Sequence, residues 1–240
     1  MSLSGKIHSI DTFNTIDGPG IRIQIFFQGC PLRCKYCHNR DMWNKDYGLD
    51  YTTDEIIKEV LKYKSYIFPS GGGMTVSGGE ATMQPEFLNE LFKKAKEHNI
   101  HTCLDTSGFV NLETIKPILE NTDLVILDIK HMNDSKSKLL TGATSEKARE
   151  LARYLDKINK PVWIRHVLVP GITDDVHHLI ELSKFVNGLN NVEKFEFLPY
   201  HTMGVFKWYE MGVPYELVNV RQCTEEDINR AMFIFNNYKK

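Results

Sequence analysis

The sequence predicts an α/β fold built around a parallel β-sheet, on three observations. Six short runs rich in branched and aromatic residues start near positions 22, 74, 101, 123, 161 and 192, and they alternate with segments whose apolar residues recur every three or four positions. Strands joined by helices in this way lie parallel and connect by right-handed crossovers. The unusual polar residues come at the ends of those runs, and parallel α/β sheets bind ligands beyond the carboxyl ends of their strands. Finally, 240 residues at 42% hydrophobic and 25% charged can bury a sizeable core, which predicts a single domain over 1–240. Strand number and spacing fit a doubly wound sheet and a partial barrel equally.

In chain order, the extended run Ile7-His8-Ser9-Ile10 comes first. A turn follows at Asp17-Gly18-Pro19-Gly20, where glycine permits positive φ and proline fixes its own. The strand over 21–27 runs into a cysteine-bearing loop over 28–39. Thr52 and Glu55 have the spacing of a capping box, ahead of a helix carrying Ile56, Ile57, Val60 and Leu61. A flexible Ser70-Gly71-Gly72-Gly73 loop leads to a strand over 74–77 and then Gly78-Gly79-Glu80, where paired glycines let backbone approach a ligand closely. Pro85 starts a helix bearing Phe87, Leu88, Leu91, Phe92 and Ala95, followed by a strand over 101–105. Helices marked by Leu112, Ile115, Ile118 and Leu119 and by Ala148, Leu151, Ala152 and Leu155 lead to strands over 123–130 and 162–169. Leu179, Ile180, Leu182 and Phe185 mark the helix before the last strand, and a cap-like Thr224-Glu225-Glu226-Asp227 opens a terminal helix.

Composition excludes several classes. With 29 Lys plus Arg against 31 Asp plus Glu, the net charge of −2 provides no global field for nucleic acid or an anionic membrane. The amino terminus lacks the apolar core of a signal peptide, and no stretch reaches the roughly 18 apolar residues of a membrane span. A cytoplasmic protein is expected. The five cysteines argue the same way, since three of them crowd into 30–37 and an odd number suits no disulfide framework.

Those three, Cys30, Cys34 and Cys37, stand at CxxxCxxC spacing in a loop that leaves a strand. Three thiolates can hold three corners of a 4Fe-4S cluster, and the missing fourth leaves one iron open for a substrate or cofactor. The competing reading is a structural zinc site of Cys30, Cys34, Cys37 and His38. The adjacency of Cys37 and His38 counts against it, because both would have to reach one small tetrahedral ion.

Further along, Asp105 ends a strand and could cap the following turn. Asp128 and Lys130 share one face of a strand. They could be a rim ion pair, but paired charge on an otherwise apolar strand favours a site. Arg165 and His166 alternate, so only one can face a ligand; Arg165 is chosen, with His166 packed under a helix. His201 follows the last strand, and Cys103 and Cys223 read as thiols with no metal role.

CxxxCxxC with Tyr36 before the third cysteine resembles the signature of the radical S-adenosylmethionine enzymes, in which the open iron is chelated by that cofactor. The resemblance extends over nearly the whole chain. Through DGPGIR, FFQGC, YCHN, SGGEA, HTCLDTSG, LDIK and FLPYH the chain is most similar to the activating enzymes of glycyl-radical enzymes, the partner implied being pyruvate formate-lyase. Ser107 departs from the asparagine common there. Activators of other glycyl-radical enzymes often carry an inserted ferredoxin-like segment, and 39–52 is too short to house one.

The resemblance implies a partial (β/α)6 TIM-like barrel and an oxidoreductase activity. Reductive cleavage of S-adenosylmethionine would give methionine and a 5′-deoxyadenosyl radical, which takes an α-hydrogen from a glycine of the partner. Cys30, Cys34 and Cys37 would hold the cluster. Tyr36, Cys37, His38, Asn39, Gly78, Gly79, Glu80, Asp105, Asp128, Ile129, Lys130, Arg165 and His201 would bind the cofactor. Asp17, Gly18, Pro19, Gly20 and Arg22 would hold the target peptide. Asp105, Thr106 and Asp128 would hold a monovalent cation. With neither GxGxxG nor a P-loop in the chain, the electron is expected from flavodoxin or ferredoxin. The chain is expected to be a monomer. An activator of another glycyl-radical enzyme and a non-catalytic zinc or electron-transfer module are the alternatives.

Overall fold

All six expected strands form. The computed structural model describes residues 2–238. They fall into two compact units, one of residues 2–31 and 42–126 and the other of residues 32–41 and 127–238.

The first unit contains β1 (Ser4–Asn14), β2 (Arg22–Phe27), β3 (Leu49–Thr52), α1 (Thr53–Leu61), α2 (Lys64–Ile67), β4 (Gly73–Gly78), α3 (Pro85–Glu97), β5 (His101–Thr106) and α4 (Leu112–Glu120). It also contains the first three residues of β6 (Leu124–Asp128). Its strands run in the order β3-β1-β2-β4-β5. β2, β4 and β5 are parallel, with Arg22 opposite Gly73 and Gly73 opposite His101 at their amino ends and Phe27 opposite Gly78 at the carboxyl end of β2 and β4. Ile23, Ile25, Met74, Val76, Cys103 and Leu104 are fully buried, as a parallel strand covered on both faces requires.

Two strands depart from the all-parallel expectation. β1 pairs antiparallel with β2, and β3 pairs antiparallel with β1, Ser4 opposite Thr52. The capping box forms as expected: Thr52 Oγ1 accepts from the Glu55 amide at 3.2 Å, and the Glu55 carboxylate accepts from the Thr52 amide at 2.8 Å. Pro85 occupies the first turn of α3.

The second unit contains α5 (Asp134–Thr141), α6 (Glu146–Lys157), β7 (Val162–Leu168), α7 (Val176–Val186), β8 (Val192–Pro199), α8 (Val205–Glu210) and α9 (Glu225–Asn237). β7 and β8 are parallel, Arg165 opposite Glu196. α6 buries Ala148, Leu151, Ala152 and Leu155, the stripe its sequence shows. α9 covers β8 by stacking Phe235 on Phe195, ring centres 3.9 Å apart. α5 was not expected. Asn133 caps its start through the Lys136 amide, and Gly142, at φ +83°, ends it.

Candidate active-site residues

At the carboxyl end of β4 the chain is built to admit backbone. Gly78 has φ +112°, a conformation that favours glycine. A Cβ on Gly79 would lie 2.2 Å from the Gly29 carbonyl oxygen, and the Glu80 amide donates to that same oxygen at 2.8 Å. The strand end therefore packs backbone to backbone against Gln28-Gly29-Cys30. That segment is held from its other side too, since the Gly29 and Cys30 amides donate to Met42 and Trp43 carbonyls at 2.8 and 3.2 Å.

Glu80 is only 2% exposed, and its carboxylate is fully employed. One oxygen accepts from the Thr82 amide (3.3 Å), Thr82 Oγ1 (2.7 Å) and Thr106 Oγ1 (2.8 Å). The other accepts from the Ser107 amide (2.9 Å) and Ser107 Oγ (2.5 Å). A buried carboxylate is tolerated only when so solvated by the protein. Its side chain thus fixes the end of β5, leaving the backbone of 78–80 as the part that can meet a ligand. Nearby, Ser77 Oγ donates to Asp105 at 2.6 Å.

The DGPGIR segment lies at the opposite ends of these strands. Arg22 starts β2, opposite Gly73, and is completely buried. Its Nε donates to Thr75 Oγ1 (2.5 Å), one Nη to the Pro19 carbonyl (3.0 Å) and the other to the Met74 carbonyl (2.6 Å). Thr75 Oγ1 in turn donates to the Asp17 carbonyl at 2.6 Å. Arg22 is an internal brace that shapes the turn at 17–20. It is the first of the six residues of β2, so roughly 20 Å of extended chain parts it from the cysteine loop.

In the second unit the stretch 32–41 is pinned residue by residue. The Arg33 and Lys35 amides donate to the carbonyls of Thr141 and Leu140 at 2.7 and 2.9 Å, at the end of α5. The Cys37 amide donates to the Cys34 carbonyl at 3.0 Å, and Trp208 Nε1 donates to the Cys37 carbonyl at 2.8 Å. His38 Nε2 donates to the His201 carbonyl at 2.9 Å, and the two rings lie 4.2 Å apart. A Cβ on Gly204 would meet His38 Cα at 2.6 Å, so the chain entering α8 also approaches this loop closely. Lys207 pairs with Asp41 at 2.9 Å, and the Arg40 guanidinium lies 4.6 Å over the Trp208 ring. Burial, then His38, lowers the His201 pKa. None of Arg40, Lys207 and Trp208 stands out in the sequence, because α8 is short and has a single buried side chain.

Asp128 and Lys130 form the anticipated pair at 2.5 Å. Burial works against the Lys130 ammonium, but Asp128, with Tyr36 and Cys34, outweighs it and raises its pKa well above the ordinary value. Asp128 Oδ1 and the Tyr36 hydroxyl are buried with no hydrogen-bond partner among the described residues. Unsatisfied oxygens of this kind fit a site that awaits a polar ligand. Arg165 Nε donates to Glu196 at 3.2 Å, and Lys194 joins the same carboxylate at 2.7 Å.

His166 is indeed packed beneath a helix, with no exposed surface, against His178 of α7. Burial lowers His166 to about 4 and His178 to about 2. Unfolded histidine titrates near 6.5, so below that pH the unfolded chain binds protons that the folded chain refuses. Stability is therefore complete above about pH 6.5 and falls as pH drops, by up to about 1.4 kcal/mol per pH unit for each histidine. The urea midpoint should fall between about pH 7.5 and about pH 5.5, and less steeply after His178→Asn. An equal slope in both proteins would remove the pair as the cause.

The five cysteines carry no disulfide. Among the described residues, no group of three or more His, Cys, Asp or Glu side chains is disposed to hold a metal ion. The donors nevertheless suit an iron–sulfur cluster and its cofactor: three thiols outside any disulfide within eight residues, a glycine pair that admits backbone, and unsatisfied oxygens on Asp128 and Tyr36.

Comparison with known proteins agrees. Residues 25–183 match the family model described as the Radical SAM superfamily. The chain is 48% identical over 236 residues to a pyruvate formate-lyase-activating enzyme of Staphylococcus epidermidis, covering 95% of this chain and 94% of that relative. It is 46% identical over 244 residues to the enzyme of the same name from Staphylococcus aureus (strain USA300), covering 99% and 97%. Among solved structures, a domain of a pyruvate-formate lyase-activating enzyme from Bacteroides vulgatus aligns at TM-score 0.59 and 25% identity, over 70% of this chain and 95% of that one. A radical SAM methyltransferase from Sphaerobacter thermophilus aligns at TM-score 0.66 over 98% of this chain and 75% of that one, and its 16% identity speaks for fold alone. The fold is thus the one the sequence leads one to expect. Identity of this extent over almost the full length places the chain in the radical SAM superfamily, within the family of the pyruvate formate-lyase-activating enzymes.

Proposed function

We propose that this chain activates pyruvate formate-lyase by generating a glycyl radical on it. The observation that carries the reading is the backbone contact between Gly79-Glu80 and Gly29, which sets the glycine pair beside the start of the cysteine loop. Cys30, Cys34 and Cys37 hold a 4Fe-4S cluster through three thiolates. Backbone of Gly78, Gly79 and Glu80 receives the amino group of S-adenosylmethionine; Asp128, Ile129, Lys130, Arg165 and His201, with Tyr36, His38 and Asn39, orient the rest. When bound, these groups supply the one-electron cleavage that yields methionine and a 5′-deoxyadenosyl radical, the species that takes the α-hydrogen of glycine.

The protein's part is orientation and exclusion of water. Asp128 Oδ1, buried and without a partner among the described residues, offers an acceptor to the cofactor, while the other oxygen of that carboxylate pairs with Lys130 at 2.5 Å. Asp105, Thr106 and Asp128 hold a monovalent cation. The turn at Asp17, Gly18, Pro19 and Gly20, braced by Arg22, receives part of the target peptide. The chain acts as a monomer in the cytoplasm. Among the described residues, no helix is long and apolar enough to cross a membrane. The electron comes from flavodoxin or ferredoxin.

The test is anaerobic. Reconstituted and reduced protein, given S-adenosylmethionine and pyruvate formate-lyase, should produce a glycyl radical by electron paramagnetic resonance together with 5′-deoxyadenosine. Cofactor cleavage without a protein radical would point to another substrate, and bound zinc without sulfide would end the radical reading.

A further inference from the structure

Two buried histidines in the second unit take no part in the chemistry proposed above, yet they are wired to the backbone around Lys130. His166 Nδ1 lies 2.6 Å from the Ile129 carbonyl. A carbonyl only accepts, so Nδ1 carries the proton and His166 Nε2 is left as an acceptor. His178 Nε2 lies 3.2 Å from that nitrogen and must therefore be the donor. His178 Nδ1 is then a bare acceptor, and it receives the Met132 amide at 3.4 Å. A single choice of tautomers satisfies all three contacts. Both rings are neutral in the fold, as their burial requires.

The chain of bonds thus starts at residue 132 and ends at residue 129, and the two backbone groups it ties bracket Lys130. His178 is fixed in turn by the first turn of α7, where its amide donates to Asp175 at 3.0 Å. The His131 ring lies tilted against His178, ring centres 4.0 Å apart. The Ile129 amide is also tied, donating to the Arg165 carbonyl at 2.9 Å. With both of its backbone groups bonded into β7, Ile129 has little freedom to swing.

We infer that His166 and His178 are positioning residues for S-adenosylmethionine: their hydrogen-bonded chain fixes the backbone at Ile129 and Met132, and so holds Asp128 and Lys130 where the cofactor meets them. The inference rests on the reading that 128–130 binds that cofactor. Neither histidine touches it. Each acts through main chain, and the loss expected on breaking such an outer contact is about tenfold in affinity.

The experiment measures binding of S-adenosylmethionine itself, by equilibrium dialysis, to the anaerobically reconstituted and unreduced enzyme. His166→Leu should raise Kd about tenfold. His166→Asn, whose amide nitrogen sits where Nδ1 does, should restore the bond to Ile129 and stay within about threefold of the parent. Under turnover, His166→Leu should raise KM for the cofactor with little change in kcat, which a general loss of folding would not do. In the labelled apo-protein, nitrogen-15 spectra should show His166 protonated at Nδ1 and His178 at Nε2.

Lys130→Met is the control for the underlying reading. If it weakens binding while His166→Leu leaves Kd unchanged, the inference is overturned and the reading stands. If both bind as the parent does, the reading of 128–130 fails and the inference falls with it. The opposite tautomers, or a His166→Asn protein as weak as His166→Leu, would also overturn it. Should His166→Leu fail to fold, His178→Leu carries the test, since it removes both the acceptor for Met132 and the donor to His166. An unchanged Kd there counts against the inference.

Discussion

Replacing Cys34 with alanine is expected to reduce glycyl-radical formation to background while leaving the apo-protein folded. On the proposed reading the change removes one of the three thiolates that hold the cluster, while bonds within the protein hold the backbone around it. Arg33 and Lys35 flank Cys34 and are bonded to Thr141 and Leu140, and the Cys34 carbonyl is taken by the Cys37 amide. Iron and sulfide analysis after reconstitution should show the cluster lost or depleted, electron paramagnetic resonance should show no glycyl signal, and far-ultraviolet dichroism should match the parent. A radical of parental intensity from the variant would exclude Cys34 as a ligand.

Glu80→Ala should be the most damaging change to stability at the site. It strands five donors, three of them buried on Thr82 and Thr106 and two partly buried on Ser107. Each buried polar group left without a partner costs about 1–3 kcal/mol, and partial relaxation brings the net loss to about 3 kcal/mol or more. The urea midpoint of the apo-protein reads this directly. Glu80→Gln fills the same volume but turns an amide NH2 toward one set of donors, so its midpoint should fall between the two. Equal midpoints for parent and Glu80→Ala would show that the network does not stabilise the fold. Cofactor affinity should fall in both variants, because the end of β5 and the backbone of 78–80 are held through the same carboxylate.

Much of this was legible in the sequence where periodicity and burial coincide. β2, β4, β5, β6, β7 and β8 are apolar runs between amphipathic helices, and all six stand where expected. The capping boxes at Thr52 and Thr224 were readable because a cap is local chemistry. β3 was not readable: its four residues are half-exposed or exposed and become a strand only through pairing with β1, some 45 positions away. α5 was missed for a related reason, since DSKSKLLT has no apolar stripe and its signals are an asparagine before it and a glycine after it.

At the site, residue types were legible and employment was not. Glu80 and Arg22 stood out as charged groups beside glycine turns. Nothing in their spacing reveals that each would spend its hydrogen bonds inside the protein. Trp208, which holds the Cys37 carbonyl, lies 171 positions from it, and only the folded chain brings the two together.

The pinning of 32–41 by main-chain bonds also bears on how the enzyme is made. A zinc finger has no shape without its metal, and its folding and loading are one event. Here the loop bearing Cys34 and Cys37 draws its shape from amides, a tryptophan and two histidines. Folding and loading can therefore be two events: the polypeptide takes its shape first and receives iron and sulfide afterwards.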